Sequence, residues 1–415
     1  MIILKRISIS LIISLIYWHA SICPAATLYN EESRPFIAEL RNDNSASALE
    51  YADSFVQKTI TSGKEKQNKY LSLLERGKIA LVAGKYDQCI ADLQEAERRF
   101  LMIEGTISLT EGFGSLLTDD TAQEYEAEVY EKIMISPYLA LAYLSKGDFA
   151  GAVVERNRTI NKINQYVEAA PEERSYLENP FARLVGAIIY EMENKSDDAK
   201  IEYKKMQWEE EAAKLEKKKG KSTDLVILID TGLSPHKYQI KWGPMPVVTK
   251  DATIHLGFAY AAYEPTVSVV SKSDVSIDGN SVGSARLLYD LENTILTQYE
   301  KNKPALIAKL VTRMTAKAAV QVSAQAAANR VAKDNPLAGF LLKSVANIAG
   351  AVWMAVEQAD LRGWLTLPGK INYLRVNDLT PGEHTISIDY GSDRQEKKIN
   401  LGKDKINIAY FSFAK

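Results

Sequence analysis

Three stretches of this chain carry the spacing of a helical hairpin, and that spacing commits the first half to stacked helices. They are Leu73 to Phe100, Ile135 to Ile160 and Phe181 to Met206. In the first, Gly77, Gly84, Tyr86, Cys89, Leu93 and Ala96 fall where two antiparallel helices need small or groove-filling residues. Ala140, Tyr143, Gly147, Phe149 and Ala152 repeat the pattern in the second, and Ala187, Tyr190, Ala199 and Tyr203 in the third. Small side chains let the helices approach, aromatic ones fill the groove between them, and Gly before Tyr86 or Phe149 permits a tight turn. One helix pair cannot bury its own apolar face, so about three must stack.

The pattern is that of a tetratricopeptide repeat. From Gly84 to Gly147, and from there to Asn194, the spacing exceeds the usual period of roughly 34 residues. Insertions near Leu101 to Val129 and Asn161 to Pro180 account for the excess. The third unit carries Asn194 and Ser196 where Gly and an aromatic are expected. A repeat of this kind is a binding surface and implies no reaction.

Met1 to Ala25 reads as a signal peptide, with Lys5 and Arg6 at its basic end and the apolar run Ile7 to Trp18 behind them. That run is too short to span a bilayer comfortably. Cleavage after Ala25 or Ala26 is the expectation. Lipidation at Cys23 is the alternative, although Ile22 is a poor residue to precede a lipidated Cys. After ordinary cleavage only Cys89 remains, at a small-residue packing position, where it should be buried and inert. The 415 residues suggest two or three domains. With 51 basic against 53 acidic side chains the net charge is −2, which argues against a general nucleic-acid binder.

Thr27 to Thr61 reads as a lead-in helix. The charged run Lys217 to Lys221 marks the end of a helical half, 27–221, that should fold alone. The period then changes. Leu225 to Ile229 is a continuous apolar run, as for a strand buried on both faces. Tyr238 to Trp242, Thr253 to Ala259, Thr266 to Val270 and Val275 to Gly279 continue the strands. Ala285 to Asp360 reverts to helix, rich in Ala and punctuated by Pro304, Pro336 and Gly350. Ile371 to Val376, Thr385 to Tyr390, Lys398 to Leu401 and Ile406 to Phe413 close the chain as strands.

Little of this carries chemistry. Gly279-Asn280-Ser281-Val282-Gly283 matches the letters of a nucleophile elbow, with Asp378 and His384 following in hydrolase order. An elbow needs a helix directly after the Ser, whereas Asp278-Gly279-Asn280 reads as a hairpin turn. Gly220-Lys221-Ser222 has Leu215 where a phosphate-binding loop needs Gly. The histidines lack metal-ligand spacing. Lys301 to Gly350 carries eight basic residues against Asp334 alone, and Leu337 to Val356 holds one charge, Lys343. A buried helical hairpin is the expectation there, and a helix that touches or inserts into a membrane is the alternative.

Leu116 to Asp120, Tyr125, Tyr130-Glu131, Pro137 to Leu144, Asn179-Pro180-Phe181, Gly232 to Pro235 and Leu361 to Pro368 resemble the motifs of an uncharacterised bacterial envelope family. Its members are secreted or lipidated and pair a tetratricopeptide-like half with a mixed C-terminal half. The resemblance implies work in the envelope and no established activity. Val275 to Gly283 and Leu379 to Ile386 are similar to the Ile-Asp-Gly and Pro-Gly-Glu-His turns of PEGA-type β-domains. That likeness implies that the helices between them interrupt one sheet.

The expected architecture is therefore α+β. A signal peptide (1–25) precedes a tetratricopeptide-like helical-repeat domain (27–221). A β-sandwich-like, PEGA-like domain (222–415) follows, with an Ala-rich helical insertion at about 285–360. The expected function is a non-enzymatic envelope scaffold or adaptor, exported and periplasmic or outer-membrane associated. It would bind a protein partner through a concave repeat groove containing Tyr143, Arg156 and Arg158. No catalytic residue, cofactor, metal or nucleic-acid partner is expected, and peripheral membrane contact is allowed. The alternatives are an envelope hydrolase using Ser281 and a membrane-inserting subunit using Leu337 to Val356.

Overall fold

The computed structural model describes residues 25–63, 65–104, 123–217, 222–248, 253–265, 272–355, 358–403 and 405–415. Nearly all of the signal segment, Cys23, Leu116 to Asp120, Thr266 to Val270, Gly220-Lys221 and most of the Lys217 to Lys221 run lie outside the described residues.

The three hairpin stretches form helix pairs. They are α3 (Lys69–Val82) with α4 (Tyr86–Glu104), α5 (Val129–Lys146) with α6 (Phe149–Ala169), and α8 (Pro180–Met192) with α9 (Ser196–Lys205). The two helices α1 (Ala25–Arg41) and α2 (Ser45–Thr61) precede them, the short α7 (Arg174–Leu177) sits before α8, and α10 (Glu209–Lys217) ends the layer. The single lead-in helix expected over Thr27 to Thr61 is thus two helices. Asp43 adopts φ +58°, and the Asn44 side chain accepts the Ser47 N–H, so the short polar side chains break the first helix and cap the second.

Local chemistry explains the hairpins. Gly84 and Gly147 turn with φ +71° and +84°, and Asn194 does the same work at +62° in the third pair. A Cβ at Gly77 would lie 2.8 Å from Leu93 Cδ2, so α3 and α4 meet there. Asp148 and Asn179 accept N–H groups from Gly151 and Ala182, capping α6 and α8. Ala140 is fully buried on α5. Ala140→Leu is expected to overpack that contact and cost about 1–3 kcal/mol in urea unfolding. A silent substitution would show that the helices do not approach there.

The C-terminal half is one seven-stranded sheet. Its strands are β1 (Asp224–Thr231), β4 (Ser273–Ile277), β5 (Asn280–Asp290), β6 (Lys370–Val376), β7 (Gly382–Tyr390), β8 (Asp393–Leu401) and β9 (Ile406–Phe413). The order is β8-β7-β4-β5-β6-β1-β9, with β1 and β9 parallel and the remaining neighbours antiparallel. The edges nearly close. Gln395 Nε2 on β8 donates to the Ser412 carbonyl, and Lys397 Nζ donates to the Tyr410 carbonyl on β9. The expectation of a β-sandwich-like domain is therefore corrected to a single curled sheet. β1 explains its own apolar run. Leu225, Ile227 and Ile229 point into the curl with Val275, Ile386, Ile388 and Phe411, while Val226 and Leu228 point into the helical layer.

The helical insertion does interrupt the sheet, but it begins later than 285. Arg286 to Asp290 pair with Lys370 to Tyr373, so pairing holds this helix-prone segment in β5. The Asp290 side chain then accepts the Asn293 N–H and starts the helix. That helix, α11 (Leu291–Asp334), has 44 residues, or about 66 Å at roughly 1.5 Å per residue. It returns as α12 (Pro336–Ala355). The separate hairpin of β2 (His236–Val248) and β3 (Thr253–Glu264) packs against both helices. Gln321 and Gln325 on α11 clasp the backbone N–H and C=O of His255 and Thr253, closing the free edge of β3 there. Gly350 makes room, since a Cβ would fall 2.5 Å from Gln321 Oε1. The arm corrects the expectation of a buried hairpin, because Leu337, Phe340, Leu341 and Ile348 of α12 are exposed.

Candidate functional site

The helical layer and the sheet meet along a polar seam inside one continuous apolar cluster. Lys78 on α3 lies 3.0 Å from Asp230 Oδ2 on β1, and both are buried. The same oxygen accepts the hydroxyls of Tyr138 (2.8 Å) and Tyr410 (2.7 Å). Lys78 also sits over the rings of both tyrosines. At one end of the seam Arg375 on β6 forks onto Glu191 of α8 (2.8 and 3.0 Å) and reaches Asp224 at 2.6 Å.

At the other end, the segment between α12 and β6 crosses the first helices of the pairs. Glu75 on α3 accepts the N–H groups of Leu365 (2.7 Å) and Thr366 (3.0 Å). Glu131 on α5 accepts the Trp364 N–H (2.6 Å) and the Tyr125 hydroxyl (2.5 Å). The Tyr29 hydroxyl lies 2.5 Å from Glu75 Oε1 and 2.5 Å from the Gly363 carbonyl. The Tyr29 hydroxyl donates towards both acceptors, the Glu75 carboxylate and the Gly363 carbonyl. Burial, the first cause, pushes Glu75 up to about 7, against the lowering effect of the hydrogen bonds it accepts from Thr366, Tyr29 and Leu365. Burial also raises Glu131. Arg362 reaches Asp360, Asn68 and the Gln123 carbonyl. Residues from several separated segments meet here. Glu131 and Tyr138 contact the fully buried Trp364, Tyr125 and Phe181 contact those two in turn, and Ser234 donates its N–H to the Leu367 carbonyl.

The seam changes the meaning of the expected groove. The first helices of the pairs, α3, α5 and α8, face the protein's own sheet. Tyr143 lies near the end of α5, and Arg156 and Arg158 lie on α6. Tyr143 packs its ring on Gly151 and accepts a hydrogen bond from Gln94 at 2.9 Å. Arg156 is buried, pairs with Glu193, and lies 3.9 Å above the Tyr190 ring. Arg158 is half-exposed and bridges Glu155 (2.8 Å) and Glu97 (3.6 Å). Burial and the Glu97 charge raise Glu155 to about 7. Arg156 is therefore a packing residue.

An open cleft of about 970 Å³ lies between the hairpin turns and the β8–β9 strands. Phe149, Asn194 and Leu215 line one wall, and Asn400, Lys403 and Lys405 the other. Among its described lining residues one is acidic, Glu191, which is held by Arg375 and Tyr203. Nothing in the spacing of the β8–β9 residues places them beside Phe149, so only the fold brings them together.

Ser281 stands at the start of β5, after a tight turn in which Asp278 and Gly279 both have positive φ (+50° and +78°). His384 Nδ1 meets Asp278 Oδ2 at 2.6 Å and its Nε2 meets the Thr380 carbonyl at 2.8 Å. Both ring nitrogens are thus used within the β4–β7 turns, and the hydrogen bond to Asp278 raises His384. The two PEGA-like turns touch through this contact. Cys89 is fully buried, and burial pushes its thiol up, away from the reactive thiolate. Among the described residues no group of His, Cys, Asp and Glu is arranged to hold a metal ion. No protein-family model, curated protein or solved structure matches this chain.

Proposed function

We propose that this protein is a non-enzymatic scaffold or adaptor of the bacterial cell envelope, and that its tetratricopeptide-like helix pairs hold a protein partner. The observation that carries the reading is the open cleft beside the hairpin turns, with apolar Phe149 and Leu215 facing Asn400, Lys403 and Lys405. Apolar anchors beside amide and cationic groups suit an extended, acidic segment of another protein. The inner face of the helix pairs is filled by the sheet, so the partner would use the turn side of the layer. Tyr143, Arg156 and Arg158 are not among the residues that line this cleft. The neighbourhood of Ser281 gives the hydrolase alternative no support. Lys5, Arg6 and the apolar run after them favour an exported chain.

A photo-crosslinking residue at Phe149 or Asn400, activated in the native cell, tests the reading. The expected result is a discrete crosslinked protein that Lys403→Glu with Lys405→Glu suppresses by about tenfold or more. Absence of any crosslink at both positions, or fluorophosphonate labelling that disappears in Ser281→Ala, would overturn it.

A further inference from the structure

Among the described residues, most of the large apolar side chains left in solvent lie on the arm of α11, α12 and the β2–β3 hairpin. At its far end they cluster. Leu337 is 70% exposed, Phe340 65%, Leu341 55% and Ile348 60%. Positions i, i+3, i+4 and i+11 fall on one face of a helix. The opposite face of α12 packs on α11, where Gly339 lies against Ala332 and Gly350 against Gln321. Asn335 caps α12 by accepting the Ala338 N–H, which fixes the tight turn at the tip. The apolar stripe is therefore held outward by a packed and capped scaffold.

The charge around the stripe is one-sided. Arg330, Lys333 and Lys343 are exposed beside it, with Asp334 the lone acid between Lys301 and Gly350. No helix of the described residues is long and apolar enough to cross a membrane. We propose that the tip of this arm docks on an anionic lipid surface, with Leu337, Phe340 and Leu341 entering the headgroup boundary and Arg330, Lys333 and Lys343 meeting lipid phosphates. Charge selects this occupant. Two copies joined through the stripe would bring like charges together, whereas an anionic bilayer complements them. An exposed, convex apolar edge also suits a deformable surface, which needs no matching pocket. The inference does not rest on the partner cleft, which lies on the helical layer.

Flotation of the purified chain with vesicles tests it. The chain is expected to float with vesicles of mixed phosphatidylcholine and phosphatidylglycerol, to stay behind with phosphatidylcholine alone, and to detach as salt is raised. Leu337→Glu with Phe340→Glu should weaken the binding about tenfold or more, and so should Lys333→Glu with Lys343→Glu. All four side chains are exposed, so circular dichroism should be unchanged, and Lys403→Glu in the cleft should float like the parent. Failure to float, or flotation unaffected by either double variant, overturns the proposal. So does a concentration-dependent dimer that Leu337→Glu with Phe340→Glu abolishes, which would make a second copy the occupant.

Discussion

Lys78→Met is expected to destabilise the protein by about 3–5 kcal/mol. Lys78 and Asp230 are both buried, at 3.0 Å, between the helical layer and the sheet. Met fills a similar volume, so packing is nearly kept and the change isolates the charge. It leaves the Asp230 carboxylate with only the hydroxyls of Tyr138 and Tyr410 on Oδ2. Its other oxygen, Oδ1, is buried with no hydrogen-bond partner among the described residues. An uncompensated buried charge is the costly outcome, not the loss of attraction itself. The double variant Lys78→Met with Asp230→Asn should therefore recover a large part of the loss. Urea unfolding of the three variants measures it. A single-variant cost under about 1 kcal/mol would show that the pair is not desolvated as described.

The second large effect is in pH. Burial raises Glu75 from 4.5 to about 7 in the folded protein. Between those values the folded chain keeps a proton on Glu75 that the unfolded chain has lost. The stabilisation is therefore complete below about pH 4.5 and falls as pH rises to about 7, beyond which it is flat, a loss of about 3 kcal/mol from this group. Glu155, also raised to about 7, acts with the same sign. Glu104 and Glu193 are lowered by their hydrogen-bonded partners and act in the opposite sense at lower pH. Glu75→Gln should remove the Glu75 share of the slope while leaving that of Glu155. Unfolding midpoints across this range test it, and an unchanged slope in Glu75→Gln would refute a neutral, buried Glu75.

The helix pairs were legible because their determinants are local. Gly84 and Gly147 need left-handed backbone, and the small residues at Gly77 and Ala140 mark close approach wherever the helices lie. Asn194 looked like a defect, yet it takes the same positive φ, since Asn tolerates that conformation. The break at Asp43 does not show in the pattern, because capping by Asn44 depends on one short side chain within an otherwise helical stretch. Ala285 to Asp290 departs from its helical expectation for a different reason. Its composition favours helix, and only pairing with β6 keeps it extended. The hairpin over α11 and α12 was read as buried from its Ala content, but a long helix with one partner face leaves most of that surface in solvent.

What the sequence determined by itself was the alternation of helices and strands, the tight turn at Asp278-Gly279, the buried thiol of Cys89 and the two-faced burial of β1. Each follows from side-chain period, turn chemistry or size within a few residues. The tertiary structure alone decided that the helical layer and the sheet share one core, so the half expected to fold alone would expose Glu75, Lys78 and Glu131 without their partners. It also decided that the inner face of the helix pairs is filled from within by Trp364 and its neighbours. These contacts join residues separated by hundreds of positions, such as Tyr29 with Gly363 and Lys78 with Tyr410. Their energy comes from burial that exists only once both layers are assembled, and no local pattern encodes it.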